Sequence, residues 1–274
     1  MAPNSAHQIV TVATFELLKY LRGRRLLAIV LLTVFISAIF LVVPPAIGSA
    51  YPKDPKEFTT GMLGFLGILS ILSATFFGAD AIVSEYESKT GYFLFPNPIG
   101  KTAIFLGKFV ASAVVSVGAI ELYYAIVLVS VRAIDGSIPA NAGLSFAYSL
   151  VYLFAILAVA YLYSAVMRSS VYSLVLTFFT FLLILPIIDA VGAIATFKPW
   201  FSLTFASGIS QYVFRSPYPI DNVLTKTALT GPSSGMQIPV TQYFPAIPLS
   251  LIVMAAYFFF AFALAIILAR RREM

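Results

Sequence analysis

The chain has no cysteine and a single histidine, His7. Disulfides, thiolate metal sites and a thiol nucleophile are therefore excluded, and histidine-based metal clusters and Ser-His-Asp catalysis are nearly so. Charge is almost as scarce. Asp, Glu, Lys and Arg supply 10% of the 274 residues, against about 25% in a typical soluble domain. A soluble fold of this length must cover its surface with polar groups, and too few are present to do so. That excludes an ordinary cytosolic enzyme, a disordered chain and a nucleic-acid-binding module. What the chain does have is apolar surface: 60% of it is Ala, Val, Ile, Leu, Met, Phe, Trp or Tyr, and the mean hydropathy is +0.96. The net charge of +6 is then an orientation label, because excess Lys and Arg mark the cytoplasmic side of a membrane protein.

A bilayer core about 30 Å thick needs roughly 20 apolar residues per helix. Six stretches qualify: 26–43, closed by Pro44-Pro45; 61–83; 109–131, interrupted by Glu121; 144–167; 171–189; and 246–269. The expected fold is an all-α polytopic membrane protein with one transmembrane domain over 1–274, since the parts outside the membrane are too small to bury a core. The apolar run at 199–214 is short and diluted by Ser202, Thr204, Ser207, Ser210 and Gln211, so it reads as an interfacial or re-entrant segment. It belongs to a long loop, 190–245, between spans five and six. The prolines at 199, 217, 219, 232, 239 and 245 rule out a continuous helix there, and a cap of short pieces is expected.

Lys and Arg sort by side. Lys19, Arg22, Arg24, Arg25, Lys89, Lys101, Lys108, Arg168, Arg270, Arg271 and Arg272 make eleven on one face, and Lys53, Lys56, Arg132, Lys198, Arg215 and Lys226 make six on the other. The richer face is expected in the cytoplasm, with both termini and an even number of spans. The N-terminus does not read as a cleaved signal peptide, because its apolar run is too long. Residues 5–22 read instead as an interfacial helix. Val10, Ala13, Leu17 and Leu21 fall on one face, with Gln8, Thr11, Lys19 and Arg22 toward the other, so the helix would lie along the bilayer surface against membrane lipid.

The stretch between spans two and three carries the strongest signal. It runs from Asp80 through Glu85, Glu87, Lys89 and Thr90 to an aromatic-apolar run. Pro96 and Pro98 then set a bend, and Gly100 and Lys101 open a second helix that passes Gly107 and Lys108. Glu85, Glu87 and Lys89 sit on the cytoplasmic projection, where they can meet a partner protein. The stretch is similar to a pattern of the ABC-2-type permeases, the membrane subunits of one class of ATP-binding-cassette (ABC) transporter: E-x-E-x-G-T-x-x-x-L-x-x-x-P-I-x-R-x-x-I-x-x-G-K. The matching residues are Glu85, Glu87, Thr90, Leu94, Pro98, Ile99, Ile104, Gly107 and Lys108, with Lys101 in place of Arg and Thr90-Gly91 in reversed order. The lead-in from Phe15 to Arg25 also resembles the interfacial helix of that family, and the six-span plan fits it.

The resemblance implies a division of labour. A separate ABC ATPase subunit, carrying ATP and Mg, would dock under this loop. The loop would act as a coupling helix, with Glu85, Glu87, Lys89, Thr90, Pro96, Pro98 and Lys101 at the contact. A second permease chain would complete the pathway, and the direction of transport would be outward. No cofactor is expected on this chain. Gly100-Lys101-Thr102 superficially resembles the end of a P-loop. The glycine needed five residues earlier is Phe95, however, and Pro96 and Pro98 remove amide donors from the would-be phosphate cradle. ATP binding by this chain is therefore rejected.

Three carboxylates fall on or beside spans. Glu121 is central in span three and is a functional candidate because a carboxylate at depth is costly: it would be a proton or cation site, or a contact for a cationic substrate on the substrate path, while Tyr123, Tyr124 or a neighbouring span could equally hold it as a structural residue. Asp80 is expected to cap the inner end of span two, and Asp189 to reach the outer interface. In the resembled family spans two and five line the substrate path. That points to Phe65, Phe76 and Phe77 on span two and Phe178 and Phe181 on span five, with Phe179 beside them, as an aromatic lining suited to amphipathic cargo. Gly61, Gly64 and Gly67 could let span two approach another helix or bend. The rival readings are an ion- or proton-coupled secondary transporter using Glu121 and Asp189, and an intramembrane enzyme. The first would call for inverted repeats and broken helices, with Pro186 as a candidate break. The second lacks any catalytic motif.

Overall fold

The computed structural model describes residues 5–87, 100–219, 223–228 and 237–271. Six helices are long and apolar enough to cross a membrane: Arg24–Ala46, Pro55–Glu87, Lys101–Asp135, Ala142–Val166, Ser170–Ile194 and Ile247–Arg271. They are called spans one to six, and they coincide with the six expected stretches, each somewhat longer. The N-terminal helix α1, Ser5–Leu21, precedes them and meets span one at a bend over Arg22-Gly23.

The extensions have local causes. Span one runs through Pro44 and Pro45 to Ala46, because a proline near a helix end removes few intrahelical bonds. Span three is one helix of 35 residues that stops at Gly136, whose φ of 75° is the left-handed conformation favoured after a helix C-terminus. Span five continues past Pro186. A wide π-helical turn over Thr180–Ile184 immediately precedes that proline and absorbs the missing N–H and the ring's clash with the preceding turn. Pro186 thus marks a local widening, and the helix is not broken there.

Span two is less regular. Helix Pro55–Met62 is capped by Asp54, whose carboxylate accepts from Lys56 N at 2.9 Å. A 3₁₀ turn over Leu63–Phe65 follows, then helix Leu66–Gly78, a turn, and the short helix Val83–Glu87. The glycines at 61, 64 and 67 lie at or beside the 3₁₀ bend, and a methyl group added at any of them would meet no atom within 4 Å. They belong to the bend, then, and they do not seat another helix of this chain.

Spans two and four form the buried centre and spans one and five the most exposed rim. The closest approach in the centre is at Gly78, where a Cβ would stand 2.8 Å from Leu157 and 3.2 Å from Ala160; glycine lets the two backbones meet. At the end away from the termini, the 199–214 stretch forms two short helices, Leu203–Ser207 and Ile209–Tyr212. Leu203, Ala206 and Ile209 are buried in the main core. The expected cap of short pieces is present there, with one unforeseen element: strands Val223–Ala228 and Gln237–Gln242 pair antiparallel, Lys226 opposite Pro239. Tyr218 closes this region by donating to Pro245 O at 2.5 Å, and burial pushes its phenol up to about 12.

Candidate functional site: a charged junction at the basic end

Both termini, the bend before span one and the turn that ends span two lie at one end of the bundle, which carries most of the basic residues. The arrangement starts from the break in span two. Ending the helix at Gly78 leaves its last carbonyls without intrahelical partners. Neighbours take them up. Arg25 on span one donates to Phe76 O at 3.0 Å. Tyr20 on α1 and Ser112 on span three both donate to Phe77 O, at 3.1 and 2.6 Å, and Ser112 is in turn 2.7 Å from the Tyr161 hydroxyl on span four. The turn is closed by Ser164 of span four, whose hydroxyl oxygen accepts from Ile82 N and Val83 N at 2.9 and 3.0 Å. Asp80 does not cap its helix. It pairs with Arg25 at 2.6 Å and so ties span two to span one. A carboxylate alone at a helix C-terminus is unfavourable, and the cation offsets this.

The segment that follows the turn grips three other spans through three consecutive side chains. Glu85 accepts from Lys108 Nζ of span three at 2.6 Å. Tyr86 donates to Ala269 O of span six at 3.4 Å. Glu87 accepts from Ser170 N at 2.8 Å and from Ser169 Oγ at 3.1 Å, capping the start of span five. Lys108 is the hub. Its side chain is 2% exposed, and its ammonium also pairs with Glu16 of α1 at 2.6 Å. Burying an ammonium is tolerated only when carboxylates surround it, and here two do. Gly107, the neighbouring residue, lets α1 dock close enough for Glu16 to reach. A Cβ there would lie 2.7 Å from Val12 Cβ and 2.8 Å from Ile9 O.

Helix α1 therefore has two apolar faces. Its docked face centres on Ile9, Val12, Glu16 and Tyr20. On the face read from the sequence as apolar, Val10 and Leu21 are exposed and Ala13 and Leu17 half-buried. Glu16 was the missed signal: a lone acid on an otherwise basic helix. Tyr86, Ser112, Tyr161 and Ser164 had no signal in the sequence, since each acts by meeting a residue distant along the chain.

The expected site residues fall as follows. Lys89, Thr90, Pro96 and Pro98 lie outside the described residues. Lys101 opens span three and is exposed. Glu85 turns inward and Glu87 caps span five, so both carboxylates are engaged within the chain. Spans two and five pack together, but Phe77 and Phe181 are buried in the protein core at 0% and 1% exposure. Phe65, Phe76 and Phe178 are half-buried, and Phe65 packs edge-on against Tyr123. Glu121 stands on the opposite, exposed side of span three, on the stripe of Val110, Val114, Gly118 and Ala125. Tyr123 and Tyr124 do not hold it: the first donates to Met62 O and the second pairs with Ser145. Asp189 is half-buried and accepts from Thr204 at 2.5 Å, so the structure does not join it to Glu121.

Six helices long and apolar enough to cross a membrane, packed around a charged junction, define a multi-pass membrane component. A family model described as "ABC-2 family transporter protein" matches residues 10–218, and the chain belongs to that family. The match takes in α1, the junction and spans one to five. It is a non-catalytic transmembrane component, and membership implies association with an ABC ATPase. A comparison with curated proteins returned no match.

Proposed function

We propose that this chain is the permease subunit of an ATP-driven ABC exporter. It pairs with a second permease chain and with ABC ATPase subunits that bind ATP and Mg. The basic end lies in the cytoplasm, because eleven of the seventeen Lys and Arg residues fall on that side, and α1 lies along the bilayer surface there. The observation that carries the reading is the triple grip of Glu85, Tyr86 and Glu87 on spans three, six and five. A push delivered to residues 88–99 would reach those spans through these short polar contacts. Lys89, Thr90, Pro96 and Pro98, with Lys101 at the start of span three, would form the contact side, and Glu85 and Glu87 would be its anchors. The substrate moves between spans two and five, with Phe65, Phe76, Phe77, Phe178 and Phe181 as the proposed aromatic residues of those two spans, of which Phe77 and Phe181 are core. Glu121 lies on the far side of span three and is left out of that path.

The absence of cysteine makes the test clean. Single cysteines introduced at 89 to 98 are expected to cross-link to a co-purified ABC ATPase, and cysteines in the 223–228 strand are not. Failure of any ABC ATPase to co-purify, or cross-links confined to the far end, would overturn the assignment.

A further inference from the structure

The ion pairs of the junction do not use all of its cations. Glu16, Glu85 and Asp80 pair with Lys108, Arg25 and Lys19, and the Glu87 carboxylate is held by Ser169 and Ser170. Arg22 and Arg24 are left over: both are exposed, and neither pairs with a carboxylate among the described residues. They flank Gly23 at the bend between α1 and span one. Beside that bend is a cavity of about 460 Å³ lined by Lys19, Tyr20, Gly23, Arg24, Arg25 and Asp80. Of the two surplus cations, Arg24 lines this cavity and Arg22 adjoins its lining residue Gly23. Arginine is suited to a phosphate because its planar fork offers paired donors. The capping residue of span one is glycine and makes no side-chain cap, so the amides of the first turn remain as further donors.

What leaves the cavity is apolar. Span one exposes Leu27, Leu31, Val34 and Phe35, and α1 exposes Leu18 and Leu21 beside it. A free phosphate would use the cations and ignore this surface, whereas a lipid would use both. Four basic residues directly ahead of a membrane span, beside a cavity, are the arrangement that binds anionic headgroups. We propose that the cavity at the α1–span one bend binds the phosphate headgroup of an anionic membrane lipid, with Arg24 and Lys19 around the phosphate, Arg22 adding positive charge from the adjoining bend, and an acyl chain along span one. The site is separate from the ATPase-facing loop and stands without the transport assignment. Its occupant would brace the bend against which Tyr20 and Arg25 hold the end of span two.

The test uses the purified full chain in detergent, after exposure to phosphatidylcholine containing phosphatidylglycerol, with native mass spectrometry counting the lipid retained. Wild type is expected to keep a single phosphatidylglycerol. The combined change Lys19→Gln, Arg22→Gln and Arg24→Gln, which leaves the Arg25–Asp80 pair intact, is expected to weaken retention about 100-fold. Arg270→Gln with Arg271→Gln, at the same end of the bundle, is expected to leave it unchanged. Should the triple variant fail to fold in phosphatidylcholine alone, Arg24→Gln by itself is expected to weaken retention about 5-fold. Unchanged retention in these variants, or an equal loss in the Arg270/Arg271 control, would overturn the proposal. So would displacement of the lipid by inorganic phosphate at equal concentration, which would assign the cavity to a free anion.

Discussion

At the basic end the helices are joined by charge: Lys108 to Glu16 and Glu85, Arg25 to Asp80, Glu87 to the start of span five. At the far end, the Asp189–Thr204 contact aside, they are joined by neutral groups. Tyr124 meets Ser145 at 2.8 Å, Ser145 donates to Ser210 O at 2.5 Å, Asn141 donates to Val213 O at 2.7 Å, and Gln211 reaches Leu63 O at 3.2 Å. The difference bears on how each end can respond. A neutral hydrogen bond contributes about 1 kcal/mol net and can be exchanged for water. A buried ion pair contributes little when intact but is costly to break from one side. Contacts of the second kind hold a geometry in an all-or-none way, which fits the proposed transmission of a push at the basic end. Contacts of the first kind resist separation of the spans less.

The comparison can be broken most severely at Lys108. Lys108→Ala removes the cation shared by two half-buried carboxylates, Glu16 and Glu85, and is expected to cost about 3–5 kcal/mol, read as a large drop in thermal unfolding temperature in detergent. Adding Glu16→Gln and Glu85→Gln to Lys108→Met should recover most of that loss, because neutral replacement of a whole buried ion cluster is often tolerated. If the triple variant is as unstable as Lys108→Ala alone, the cost lies in packing and not in charge. Gly107→Val comes next, at about 1–3 kcal/mol from overpacking against Val12 and Ile9. Gly118→Ala on the exposed stripe, where no atom lies within 4 Å, should change stability by less than about 0.5 kcal/mol. The same unfolding assay separates the two glycines.

At the far end, Asn141→Ala removes one neutral hydrogen bond, and a loss of about 1 kcal/mol is expected. A loss as large as that of Lys108→Ala would erase the contrast between the ends. The smallest effect is expected at Glu87. Glu87→Gln removes an exposed carboxylate from the first turn of span five, so the unfolding temperature should hold while amide exchange quickens at Ser170 to Ser173. Hydrogen exchange resolved by peptide would show this, and unchanged exchange there would remove Glu87 from the set of anchors.

The spans were legible because a bilayer sets one length and one polarity for every crossing helix, and a run of apolar residues either meets both or does not. The ends of the spans were less legible. Pro44-Pro45 read locally as a stop and Pro186 as a candidate break within span five, and the structure carries the helix past them by placing the proline pair in a last turn and by a widened turn before Pro186. The paired strands Val223–Ala228 and Gln237–Gln242 were not legible because Pro239 argues against a strand, although an edge position accepts it. At the junction, Glu85, Glu87, Gly107 and Lys108 were visible as a spaced pattern, and the pattern said which residues matter without saying what they touch.

From the sequence alone follow the membrane class, the six crossings, the basic end and the absence of catalytic chemistry. Each depends on residue types and their spacing along the chain. The tertiary structure decided the pairings. Lys108 acquires its meaning from Glu16, 92 residues earlier, and Glu85, 23 residues earlier. It also decided that Phe77 and Phe181 are core while Glu121 faces outward. Those outcomes depend on how helices rotate and dock. Burial and charge neutralisation in three dimensions fix that rotation, and these spans carry too weak an amphipathic bias for their order of residues to fix it alone.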